Sequence, residues 1–195
     1  MKQTPGARFV TAQDLVHLYD GPLPPALDSR KIAGHLSRQI TFLDTDVAAL
    51  SPADMLIQLL GLPRQVVDGP TAAGITTWPS DTVPALLFER AEQDAADFIR
   101  RNHRLPNQVF VGAETLGLSD FTATLAGKIL NPVPGVVRIL RSHTTFERYF
   151  STDAKGAFNW PIHPAGFAAP ELLDLGRLQG WTLKPAKLRE QANVN

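Results

Sequence analysis

The chain has 195 residues, 44% of them hydrophobic, with 19 basic and 19 acidic side chains and no cysteine. Zero net charge removes the electrostatic case for a nucleic-acid partner, which needs a clustered basic face. The missing cysteines exclude disulfides, thiolate metal sites and cysteine nucleophiles, and leave the redox compartment open.

At the N-terminus, Met1 to Arg8 lack the apolar run of a signal peptide. No stretch approaches the ~20 apolar residues that span a bilayer. The chain is therefore expected to be cytoplasmic, or a domain of a longer surface protein. Thr11-Ala12-Gln13-Asp14 reads as a capping-box variant that starts a short helix, which Gly21-Pro22 stops. A stiff connector, Pro22-Leu23-Pro24-Pro25, leads to a second short helix over Arg30 to Ser37.

Ser51-Pro52-Ala53-Asp54 is the clearest local signal. It has a Ser cap, Pro at the first helical position and a carboxylate in the first turn. Met55, Leu56, Leu59 and Leu60 supply that helix's apolar face, and Gly61 and Pro63 end it. Val66 to Pro79 reads as loop, broken by Gly69-Pro70 and Trp78-Pro79. The longest helix is predicted over Thr82 to His103, with Leu87, Ala91, Ala95 and Phe98 on one stripe. Arg100, Arg101, His103 and Arg104 cluster at its end, where cations meet the negative pole of the helix dipole.

A strand is expected at Val109-Phe110-Val111 and a helix over Ser119 to Ile129. Asn131-Pro132-Val133-Pro134-Gly135 marks a boundary, dividing residues 1–130 from a C-terminal extension over 131–195. Val136 to Leu140 reads as a strand, Thr144 to Phe150 as one or two helical turns and Trp160 to Pro164 as an irregular aromatic loop. Pro170 opens a last leucine-rich helix. The tail Trp181 to Pro185 is extended and packs back on the body, with Trp181 in the core.

One pattern occurs twice. Arg38-Gln39-Ile40-Thr41-Phe42 leads through a polar turn to Leu50-Ser51-Pro52-Ala53-Asp54-Met55. Asn107-Gln108-Val109-Phe110-Val111 leads through Gly112 to Thr115 into Leu118-Ser119-Asp120-Phe121. The expected fold is mainly α with a few short strands, a duplicated helix–strand–helix unit in a single compact body. Phe98-Ile99, Leu105-Pro106-Asn107, Val109, Leu118-Ser119, Phe121 and Leu125-Ala126 make residues 95–126 resemble the pseudomurein-binding repeat of surface proteins. Residues 39–60 form a looser copy. The resemblance implies non-catalytic attachment to a cell-wall polymer of amino sugars and peptide.

The chemistry visible in the sequence is sparse. His17, His35, His103, His143 and His163 have no metal-ligand spacing, so no metal is expected. No glycine-rich run cradles a phosphate, and no cofactor is expected. Glu114 lies where a general acid could be presented, and glycosidic chemistry would need a second carboxylate from Asp44, Asp46 or Asp120. Trp78 and Trp160 each precede a proline, which would hold the indole rigid as a sugar platform or as a seal on the core. The candidate ligand-binding residues are Trp78, Trp160, Asn107, Gln108 and Glu114. They suit a non-enzymatic module for a polysaccharide or peptidoglycan-like polymer. The alternatives are a structural subunit whose partner is another protein chain, and a small carboxylate-dependent hydrolase.

Overall fold

The computed structural model describes residues 23, 26–46, 48–144 and 170–186. The expected N-terminal helix, Trp160 with its loop, and nearly all of the turns expected over 144–150 lie outside these residues. Helix α1 (Ser29–Leu36) is capped by the Asp28 carboxylate, which accepts from the Lys31 amide. A small hairpin follows, β1 (Leu43–Asp44) against β2 (Ala49–Leu50). Helix α2 (Pro52–Leu59) starts from a full capping box in which Ser51 and Asp54 satisfy each other's amides.

Strand β3 (Thr82–Pro84) runs directly into the long helix α3 (Ala85–Asn102), which ends at His103 in the left-handed conformation. Hairpin β4 (Gln108–Val111) and β5 (Glu114–Gly117) leads into α4 (Leu118–Leu130). Strand β6 (Val136–Arg138) returns to pair with β3, and α5 (Pro170–Gln179) is the last element among the described residues. The three sheets among these residues are each two-stranded and antiparallel. Among the described residues, no helix is long and apolar enough to cross a membrane.

The core lies between α3, α4 and the inner face of the β4–β5 hairpin. Val109, Val111 and Leu116 face Phe88, Ala95, Ile99 and Phe121, all buried. The Phe88 and Phe121 rings meet with centroids 5.5 Å apart. Ile32, Ala33 and Leu36 of α1 form a second cluster with Leu50, Met55 and Ala126, so α4 joins the two. Trp181 is buried as expected, and its carbonyl accepts from the Ala53 amide at 2.9 Å. Lys184 binds the Asp54 carboxylate at 2.8 Å, which fixes the tail to the start of α2.

The expected mainly α fold with a duplicated unit is not what forms. Helices share the described residues with three small antiparallel sheets, and the two similar stretches adopt different structures. In the first, Ile40 makes only an isolated parallel bridge to Thr144, and the hairpin begins later, at Leu43. In the second, four-residue strands form at once, turned by Gly112 at φ 67°. Ser51 caps α2, but Ser119 is already inside α4, whose N-cap is Gly117 without a side-chain bond. The same letters therefore play different parts. The long helix is also shorter at its start than the pattern suggests. Thr82 to Pro84 pair with Val136 to Arg138, and the long-range ladder overrides the local helix signal.

Residues 71–78 form no strand of their own, yet they seal the outer edge of β5. Thr77 and Trp78 amides donate to the Thr115 carbonyl at 3.0 and 3.1 Å. The Thr115 amide donates to Thr77 Oγ1 at 2.9 Å, and the Gly117 amide to Thr76 Oγ1 at 2.8 Å. This fit requires Gly74, because a Cβ there would lie 1.9 Å from the Asn107 carbonyl oxygen. Gly74→Ala is expected to destabilise the protein by about 1–3 kcal/mol, the range for forced overpacking. Denaturant titration checks this, and an unchanged midpoint would show that the segment moves aside without cost.

Candidate functional site

A groove of about 600 Å³ runs between the second half of α3 and β4. Its helical wall carries Asp94, Phe98 and Arg101, spaced three and four residues apart and so on one face. The loop after α3 adds Arg104, whose guanidinium carbon lies 5.8 Å from the centroid of the Phe98 ring. The other wall is the outer side of β4. Strand alternation buries Val109 and Val111, and turns Gln108 and Phe110 outward. Phe110 is 61% exposed, a large aromatic left in water on a strand.

Asn107 and Gln108 stand at one end of this groove, and each has its amide oxygen engaged. Asn107 Oδ1 accepts from the amides of Thr71 and Ala72 at 2.8 and 3.2 Å. Gln108 Oε1 accepts from the Ile75 amide at 3.2 Å. Both side chains thus hold the 71–78 segment. Their amide nitrogens make no hydrogen bond among the described residues.

The remaining expected site residues lie elsewhere. Trp78 is half-buried against the core, and its indole Nε1 donates to the Thr82 carbonyl at 3.0 Å. Glu114 opens β5 opposite Val111, at the turn end of the hairpin. Trp160 lies outside the described residues. The structure therefore brings together Asn107 and Gln108, and leaves Trp78 and Glu114 away from them. Phe98, Arg101, Arg104 and Phe110 were not among the expected site residues. Phe110 could have been found from the alternation of the strand, since a pattern that buries valines on both sides exposes the ring between them.

Glu114 and Asp120 stand at opposite ends of β5. Asp120 lies at the base of α4, while Glu114 is at the far end of β5, about 10 Å away along the strand direction. Asp120 is moreover committed to holding loops. Oδ2 accepts from Thr76 Oγ1 at 2.5 Å and pairs with Arg141 at 3.3 Å, and Oδ1 accepts from the Ser142 amide at 2.7 Å. Arg141 also donates to the Trp78 carbonyl at 2.8 Å. A smaller cavity of about 330 Å³ beside Asp120 contains Ser119 and His143. Among the described residues, no hydrogen bond joins either of them to the carboxylate. No group of three or more metal-ligating side chains occurs among the described residues.

No protein-family model, curated protein or solved structure matches this chain. Replacing Asp120 by Ala removes three hydrogen bonds at once and leaves Arg141 without its carboxylate. The expected loss is about 2–3 kcal/mol, with Asp120→Asn losing less. Chemical denaturation of the two variants checks the order, and equal stability of Asp120→Ala and the parent would show that the network contributes nothing.

Proposed function

We propose that the protein is a non-enzymatic binding module that holds a peptidoglycan-like polymer in the groove along β4. The observation that carries this reading is the exposed Phe110 ring facing the same groove as Phe98, Arg101, Arg104 and the amides of Asn107 and Gln108. Aromatic faces stack on the C–H faces of sugars and on apolar side chains, while amides and guanidinium groups bond hydroxyl, acetamido and carboxylate oxygens. A wall polymer of amino sugars and peptide offers all of these groups along one extended chain.

The resemblance to the pseudomurein-binding repeat supports the same place. Apart from Ala73 and Asp94, every residue that lines the groove lies within residues 95–126. The side chains that line it are suited to contact rather than to bond cleavage.

Phe110→Ala tests the reading directly. The ring makes little contact with the body, so the variant is expected to keep its stability to within about 0.5 kcal/mol. Retention on insoluble cell-wall polysaccharide should fall about tenfold, as for loss of an aromatic anchor. Undiminished retention by a stable Phe110→Ala variant would remove the groove from the binding site.

A further inference from the structure

We infer that β4 is an open strand edge built to receive an extended peptide, which docks by strand addition with an acidic end against Arg101 and Arg104. This rests on the groove's being the polymer-binding site, and it assigns that site to the peptide portion of the polymer rather than to its sugars.

The register of the hairpin decides which main-chain groups of β4 face outward. Val111 faces Glu114 across the two-residue loop Gly112-Ala113. In such a hairpin this pair and Val109 with Leu116 exchange the ladder hydrogen bonds. Phe110 with Thr115, and Gln108 with Gly117, are then the pairs whose main-chain groups point away from the partner strand. On β5 the structure bears this out, because the Thr115 and Gly117 amides and the Thr115 carbonyl all bond to the 76–78 segment. On β4 the corresponding amides and carbonyls of Gln108 and Phe110 have no partner among the described residues. Two donors and two acceptors, alternating along an extended chain, are a template for one more strand.

Charge gives the occupant its chemistry and direction. Chain direction reverses between α3 and β4, so Arg101 and Arg104 stand at the Gln108 end of the groove and Asp94 at the Phe110 end. Arg101 reaches the Asp97 carbonyl, and Arg104 lies over Phe98. Neither guanidinium, nor the Asp94 carboxylate, forms an ion pair among the described residues. A short extended peptide with a carboxylate at one end and an amine at the other complements this distribution.

The experiment uses the full chain and five synthetic probes. They are an extended six-residue peptide with a C-terminal acidic residue, its neutral counterpart, the acidic peptide N-methylated at alternate residues in either of the two phases, and a chitin oligosaccharide. Calorimetry should show binding of the parent peptide. One N-methylated phase should bind about tenfold more weakly and the other unchanged, since only alternate amides face β4. Arg104→Glu should weaken the acidic peptide and spare its neutral counterpart. Equal binding of both N-methylated phases would overturn strand addition. Binding of the oligosaccharide without the peptide would also overturn it, while leaving the groove as a polymer site. If neither probe binds and the protein is not retained on wall material, the functional reading itself fails.

Discussion

The fold depends on how one hairpin is completed. Two strands of four residues are marginal by themselves in water, and among the described residues β4–β5 has no third strand to satisfy its outer main-chain groups. Residues 71–78 supply the missing partners to β5 with threonine hydroxyls and a few amides in place of a regular ladder. That substitution needs very close approach. Gly74 lies on the Asn107 carbonyl, and a Cβ on Gly117 would lie 2.8 Å from the Gly74 carbonyl oxygen. Two glycines in contact let the backbones come close enough for hydroxyls, which are short, to replace a strand.

The polar groups around this seam form one chain of dependence. Asn107 fixes the start of the segment through the Thr71 and Ala72 amides, and Gln108 fixes its middle through Ile75. Asp120 fixes its end through Thr76 and reaches on to Arg141 and Ser142. The Asp120 side chain is only 13% exposed, so its charge is held by these donors and not by bulk water. Arg141 then carries the restraint to the Trp78 carbonyl, just ahead of the β3–β6 ladder. The apolar core behind the hairpin is thus sealed by hydrogen bonds between segments far apart in sequence.

This distribution explains what was legible in the sequence. Helix α3 was readable from its 3.6-residue stripe, α2 from Ser51-Pro52-Ala53-Asp54, and Trp181 from its place after an apolar helix. Those signals are local. The duplication misled because similar letters at Ser51 and Ser119 fell at different positions relative to their helices. Thr82 to Pro84 misled because a proline near a helix start also suits an edge strand, and only the distant Val136 to Arg138 segment decides between them. Asn107 and Gln108 were identified as polar residues of interest, but their acceptors serve partners more than 30 residues away. Trp78 stands out in the sequence by its size, whereas among the described aromatic residues the exposed ring is that of Phe110.

The two edges of the hairpin are treated oppositely, and the difference bears on function. Sealing β5 took an entire segment, two glycines and a partly buried carboxylate. Among the described residues the β4 edge received none of this, although an open edge invites unwanted pairing. What stands beside it is the wall of α3 and the loop that follows, with cations at one end, a carboxylate at the other and the Phe98 ring between. A protein that needed only to avoid aggregation could have blunted β4 with a proline or an inward charge. Leaving the main-chain groups of Gln108 and Phe110 without a partner among the described residues, beside a groove with charged ends, is the arrangement expected of a surface that recognises an extended chain by its backbone and chooses it by the charges at its ends.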